Sequence, residues 1–321
     1  MSRLVLTVLV CLTAIGARSA SAENYPSRPI RIVVPFSAGG AIDILARVMA
    51  KGLTEDFGQS VFVENKPGAS GNIGAEVVSK SAPDGYTLMV TASTLIVNPV
   101  IALNPPPINP LTDLSYISLL AKGPLLFIVH PSVANSVSDF VTKAKAHPEK
   151  YNLATGGFGA AGHLAAEDFK VKAGLSIPVI LYKGTGPVFS DLVGGHISGI
   201  LDPLSTSLPL AKGGKVKAIG ITSLKRSPLA PDVPTLDELG YKGFEFYTWY
   251  GLWAPPNMPK EISNKLADAL DKFGKSPEMQ KWFMSRGLEY SGLRGQKFLD
   301  YAKADQTKQA EIVEKAHIQK Q

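Results

Sequence analysis

The sequence predicts an α/β protein of two lobes, and three observations carry that prediction. Short apolar runs of strand length alternate with stretches of helical periodicity along almost the whole chain, the pattern of parallel strands joined by crossover helices. The alternation comes as two successive series, separated by a proline-dense segment at residues 104–110. A last strand and three helical patterns follow. Their return to the first series would leave two chain crossings, acting as a hinge, with a cleft between the lobes.

Taken in order, Ile30-Arg31-Ile32-Val33-Val34-Pro35 predicts a buried first strand, and Ile42, Leu45, Ala46, Met49, Leu53 and Phe57 follow at helical spacing. A second strand at 61–64, a second helix at 74–80 and a third strand at 86–90 complete a βαβαβ unit. Pro105, Pro106, Pro107 and Pro110 make 104–110 an irregular surface loop. The second series opens with the apolar strand 125–129. It continues through strand 151–155, helix 163–173, strand 178–182, helix 187–193 and strands near 197–201 and 218–221. Pro228, Pro231 and Pro234 then interrupt it. The closing strand is 251–255, followed by helices over 259–273, 277–286 and 296–318. The lobes expected from this order are residues 23–122 with 248–321, and residues 123–247, each a mostly parallel sheet flanked by helices.

The first residues set the compartment. Arg3 supplies a basic start, residues 4–15 a short apolar core, and Ala20-Ser21-Ala22 the small residues a signal peptidase reads. This predicts a secretory signal, residues 1–22, cut after Ala22, and a periplasmic mature protein. The apolar run is well short of the roughly 20 residues that span a bilayer. Cys11 is the one cysteine, so the mature chain is expected to hold together through its core, without disulfides or thiol chemistry. The chain of 321 residues is long enough for two cores. Its formal charge of +6 includes Arg3 and Arg18 of the signal, and no dense Lys/Arg run supports nucleic-acid binding. No second segment is long and apolar enough to span a membrane, so a soluble, monomeric mature protein is expected.

Gly157-Phe158-Gly159-Ala160-Ala161-Gly162 matches G-x-G-x-x-G between a strand and a helix. A dinucleotide site would also need an acidic residue closing the next strand. That strand ends Ile180-Leu181-Tyr182-Lys183, with a cation in that place, and Asp191 falls inside the following helical pattern. No nicotinamide or other cofactor is therefore expected. Glycines before a helix still expose backbone N–H groups, and the helix start adds a partial positive charge. Such a turn receives anions whether or not a nucleotide is attached. Phe36-Ser37-Ala38-Gly39-Gly40, followed by Asp43, makes a comparable turn after the first strand, and Pro67-Gly68-Ala69-Ser70-Gly71 one after the second. Turns at the carboxyl ends of parallel strands are where α/β sheets bind ligands. If the lobes face each other, turns from both would address one small carboxylate.

Single residues admit two readings each. Asp43 either accepts from a ligand or complements the helix dipole. His163 either donates to a ligand or orients its loop. Lys183 and Asp202 either meet a second polar group of the ligand or serve locally. Thr91, Ser93 and Asn98 either line the cleft floor or cap the next turn. Tyr247, Trp249, Tyr250 and Trp253 read as hinge or core packing. None of the five histidines sits at metal-coordinating spacing from another ligand. G-x-S-x-G, H-E-x-x-H and P-loop motifs are absent from the sequence, so no catalytic residues are expected.

In order and spacing these motifs resemble the periplasmic solute-binding receptors of tripartite tricarboxylate transporters, the Bug family. The resemblance runs from Tyr25-Pro26-Ser27-Arg28-Pro29-Ile30 to the C-terminal helices. It rests on Pro35 to Gly40 with Asp43, Glu64 to Gly71, Pro83-Asp84-Gly85-Tyr86, Gly157 to His163, Tyr182-Lys183-Gly184, Arg226-Ser227-Pro228, Pro231 to Thr235, Trp249 and Ala254-Pro255. It implies a type II-like Venus flytrap that closes on small carboxylates, including di- and tricarboxylates, acidic amino acids and aromatic acids. It further implies delivery to a membrane permease, without catalysis. By the same resemblance the ligand carboxylate is held by backbone groups in the turn Phe36 to Gly40. The opposing lobe contributes Thr155, Gly156, Gly157 and Gly159, with the segments around Lys183 and Asp202. Leu181, where a proline is common, and the Pro105-Pro106-Pro107 run depart from the family pattern. The same module acting as a sensor for a membrane signalling partner has the same sequence signature.

Overall fold

The computed structural model describes residues 25–182 and 184–321. The expected signal segment and Lys183 lie outside the described residues. The first series forms β1 (Ile30–Val34), α1 (Ala41–Phe57), β2 (Val61–Asn65), α2 (Asn72–Ser79), β3 (Thr87–Ala92) and α3 (Thr94–Ile101). A 15-residue strand, β4 (Ser115–Val129), then crosses into the second series. That series comprises α4 (Val137–Ala146), β5 (Leu153–Thr155), α5 (Ala161–Ala173), β6 (Val179–Leu181), α6 (Thr185–Val193), β7 (Gly199–Pro203), α7 (Leu204–Lys212) and β8 (Lys217–Ile221). The chain returns through β9 (Tyr247–Ala254) and ends with α8 (Lys260–Gly274), α9 (Pro277–Ser285), β10 (Glu289–Arg294) and α10 (Gln296–Lys315).

β4 is the spine of both lobes. Its first part is flanked by β9 and β10, in a sheet ordered β2-β1-β3-β9-β4-β10; its last five residues are flanked by β7 and β8, in a sheet continuing through β5 to β6. The outer strands pair in parallel, as expected for βαβ units. Every pairing made by β4 or β9 is antiparallel, because these strands carry the chain out to the second lobe and back. Each sheet is therefore mixed, more so than the expected mostly parallel one.

Four apolar clusters cover the two faces of each sheet, which explains the continuous apolar runs. Ile30, Ile32 and Val34 pack under α1 and α8, while Val33 and Met89 face α2, α3 and Phe298. In β4, Leu125, Phe127 and Val129 pack on Phe140 and Phe169, and Leu126 and Ile128 on Val188 and Leu192. All five of these β4 residues are fully buried, the alternation of a strand covered on both sides. Trp249 and Trp253 are buried too, and the Trp249 Nε1–H donates to Asp305 Oδ2 at 3.0 Å. These aromatics are packing residues. No helix among the described residues is long and apolar enough to cross a membrane.

Strand registers set the level of the turns. Ala92, at the end of β3, lies opposite Tyr250, which lies opposite Ala121 of β4. In the other sheet, Pro203 at the end of β7 lies opposite Leu125, and β5 runs parallel beside β7 with Ala154 level with Ile200. The carboxyl ends of the parallel strands in both lobes thus point toward one level of β4, between Ala121 and Leu125.

Candidate functional site

Three turns meet at that level, around α3. Gly159 abuts α3 so closely that a Cβ built on it would sit 2.1 Å from Ile101 Cδ1. Also from α3, Asn98 Nδ2 donates to Ser70 O and to Asn72 Oδ1, each at 3.0 Å. The turn after β2 is held in a left-handed path, with φ of 48° at Ala69 and 52° at Ser70, a conformation that costs non-glycine residues energy and needs such anchoring. A Cβ built on Gly71 would lie 3.5 Å from the Phe36 ring, and Asn65 Nδ2 donates to Phe36 O at 3.0 Å. The turns after β1, β2 and β5 therefore form one connected wall.

The first and third turns are built alike. Gly39 and Gly159 both have positive φ, 85° and 71°. Each donates its N–H to a side chain four residues on, in the first turn of the next helix: Gly39 to Asp43 Oδ2 at 2.9 Å, and Gly159 to His163 Nδ1 at 3.2 Å. Asp43 also accepts from Arg47 Nε and Nη2 and from Asn65 Nδ2, between 2.9 and 3.0 Å. Burial opposes its ionisation, but the Arg47 guanidinium and the Gly39 and Asn65 donors bring its pKa down to about 2. His163 is buried, and desolvation, assisted by Lys170, lowers its pKa to about 4. It is a neutral acceptor at pH 7. Both side chains orient their turns.

With Gly39 and Gly159 so engaged, the accessible main chain is Ser37 to Gly40, exposed, and Gly156 to Phe158, half-buried. The helices behind these turns, α1 and α5, start from Gly40 and Ala160 without a side-chain cap. Their opening amides lie at the positive ends of helices of 17 and 13 residues. Gly156 approaches the start of α6 closely: its carbonyl accepts from Gly184 N at 2.8 Å, and a Cβ there would meet Thr185 N at 2.8 Å.

Other residues singled out in the sequence lie deeper. Thr91, Ser93 and Thr155 are 1%, 5% and 2% exposed. Ser93 N donates to Trp249 O at 3.0 Å and its carbonyl starts α3, while Thr155 Oγ1 donates to Gly157 O at 3.3 Å. Asp202 is buried at the end of β7, where its Oδ2 accepts from Thr206 Oγ1 at 2.5 Å and Ser207 Oγ at 3.1 Å. Burial pushes its pKa from 3.8 up to about 6 despite those hydroxyls.

A raised carboxyl pKa means that the native state binds the proton more tightly than the unfolded chain. The Asp202 contribution to stability therefore falls as pH rises from about 4 to about 6, and the full cost persists above that. Asp202→Asn keeps both hydroxyl contacts and removes the cost. Its stability gain over the wild type is expected to be near zero at pH 4 and to reach at most about 3 kcal/mol at pH 7. Urea melts at the two pH values check this; a gain that is equal at both would refute it.

Similarity to known proteins accords with this geometry. The model of the tripartite tricarboxylate transporter family receptor matches residues 45–318. The chain belongs to that receptor family. It is 34% identical to protein BugT of Bordetella pertussis over 290 residues, covering 89% of each chain. A solved R. palustris protein with adipate is 31% identical, superposes with a TM-score of 0.85 and covers 91% of this chain and 98% of its own. MatC from Rhodopseudomonas palustris, with bound malate, is 27% identical with a TM-score of 0.79, over 90% of this chain and all of its own. The two-lobed binding-protein fold expected from the sequence is thus the fold of the family.

The sequence did not reveal α3, the helix on which this receptor's turns rest. It is short, contains Pro99 and buries Leu95, Ile96, Val97, Asn98 and Ile101, so it has no amphipathic period to detect. The positioning roles of Asp43 and His163 did have a signal: a glycine, three residues, then an acceptor at a helix start, present in both turns.

Proposed function

We propose that this receptor captures a small organic carboxylate between its lobes and delivers it to the membrane permease of a tripartite transporter. The single observation behind this reading is the pairing of two uncapped helix starts, α1 and α5, behind one exposed and one half-buried turn, one beside each sheet, at one level of β4. Each helix start contributes roughly 0.3–2 kcal/mol toward an anion. Hydrogen bonds from several amides, roughly 1 kcal/mol each or more to a charged acceptor, add to that and bring the sum into the micromolar range.

The ligand-binding groups in this reading are the backbone of Phe36 to Gly40 and of Gly156 to Phe158. Asp43, His163 and the buried Thr155 hold the turns in shape. Asp202 is held by Thr206 and Ser207, and Lys183 is proposed, from the sequence alone, to meet a second acidic group of the ligand. The lobes are residues 23–122 with 248–321 and residues 123–247, and closure is driven by contacts made only when both lobes touch the acid. The chain is periplasmic after loss of residues 1–22, acts as a monomer and performs no catalysis. Adipate and malate, bound by two relatives, make dicarboxylates the first candidates.

A thermal-shift panel of di- and tricarboxylates, acidic amino acids and aromatic acids tests the reading. An acid at a hundred times its Kd adds about 2.7 kcal/mol, expected to raise the melting temperature by at least about 4 °C. A panel in which no carboxylate shifts the transition would contradict the proposal.

A further inference from the structure

A second cavity lies where β4 passes from one sheet to the other. At that point Gly123 approaches the segment before β10, a Cβ on it meeting Gly287 O at 2.7 Å, and Thr222, just after β8, donates its N–H to Leu125 O and accepts from Phe246 N at its carbonyl. There a cavity of about 530 Å³ opens, bounded by β4 at Lys122 and Pro124, by the 223–229 loop after β8, and by α9 with residues 287–289. This volume is within the range that takes small molecules, roughly 300–1,000 Å³. One wall belongs to each sheet, and each wall presents an exposed large apolar side chain: Leu224 is 48% exposed and Met284 is 58% exposed. Exposed side chains of this size that converge on one concave site mark a binding surface better than scattered ones.

The charges within the cavity are unevenly placed. Lys122 is paired with Glu289 at 2.9 Å, and Arg226 with Glu238 at 2.9 Å. Lys225, beside Leu224 on the loop wall, forms no salt bridge among the described residues. The lining carboxylates, Glu245 and Glu289, are not on that loop; Glu245 lies beside Tyr247, whose hydroxyl its charge helps to push up to about 12. The loop wall thus has an unneutralised cation next to an apolar surface.

We infer that this cavity is a second ligand site, distinct from the carboxylate cleft, for a small molecule with an apolar body and one acidic group. The body lies between Leu224 and Met284, and the acid meets Lys225. This inference does not depend on the cleft reading, because the cavity is lined by none of the residues of the turns assigned to the carboxylate.

A fluorescence titration with 8-anilino-1-naphthalenesulfonate, an aromatic sulfonate of this class, tests the inference on the full mature chain. The wild type is expected to bind it saturably, at one site. The double variant Leu224→Asp, Met284→Asp is expected to lose affinity at least about tenfold, with an unchanged far-ultraviolet dichroism spectrum because both side chains are exposed. Lys225→Glu alone is expected to weaken binding about threefold or more. Absence of saturable binding by the wild type would overturn the inference. So would wild-type affinity in the double variant, which would put the dye elsewhere, or wild-type affinity in Lys225→Glu, which would remove the acidic contact.

Discussion

Gly157→Leu is expected to reduce carboxylate affinity about 100-fold or more, equivalent to about 2.7 kcal/mol, while the protein remains folded. Gly157 is half-buried at the tip of the turn after β5, and a Cβ built on it meets nothing within 4 Å. Its φ lies outside the left-handed region, so an L-residue adopts its backbone without strain. Removing the glycine even restricts the unfolded chain slightly, which favours folding by roughly 0.4–1 kcal/mol. The four-carbon side chain has one place to go: the open space in front of the amides of Gly156 to Phe158, where it blocks the acid and dehydrates the donors. Calorimetry beside a urea melt separates the two effects. Unchanged carboxylate affinity would remove this turn from the site.

Gly162→Ala is expected to give the opposite result, a loss of about 3 kcal/mol in stability, with binding declining only as the folded fraction does. Gly162 is the last glycine of the same motif, yet its Cβ would lie 2.2 Å from the carbonyl oxygen of Leu201. That neighbour is backbone in β7, inside a sheet that cannot yield as a side-chain tip would. Helix α5 must move off the sheet or tilt, and the packing of Leu164, Ala165 and Phe169 loosens with it. A urea midpoint equal to that of the wild type would contradict the expectation. Five residues apart, two glycines of one motif serve binding in one case and helix-to-strand packing in the other.

The contrast shows what the sequence discloses. G-x-G-x-x-G announced a close approach after β5, and Lys183 in place of an acid excluded a dinucleotide, but which glycine abuts backbone and which faces open space depends on tertiary distances. The outer βα units were legible because their apolar residues keep period. β4 was legible only in part: the fully buried run from Leu125 predicted a strand, whereas the chain enters it at Ser115. Strand β10 and helix α7 had no clear signal, since β10 is nowhere fully buried and α7 carries Pro209 within it. Helix α4 did carry one, as Ser136 caps the Asp139 amide at 3.1 Å in the S-x-x-D pattern of a helix start. For Asp43 and His163 the sequence left a ligand contact and a local role open, and their hydrogen bonds tie down the turns they sit behind.

Backbone amide shifts measured by NMR with and without the acid that most raises the melting temperature test the central claim most directly. The predicted result is that the amides of Ser37 to Gly40 and of Gly156 to Phe158 move together, with one apparent affinity, because one carboxylate ligand touches both lobes. Large shifts confined to a single turn, or centred elsewhere in the fold, would contradict it.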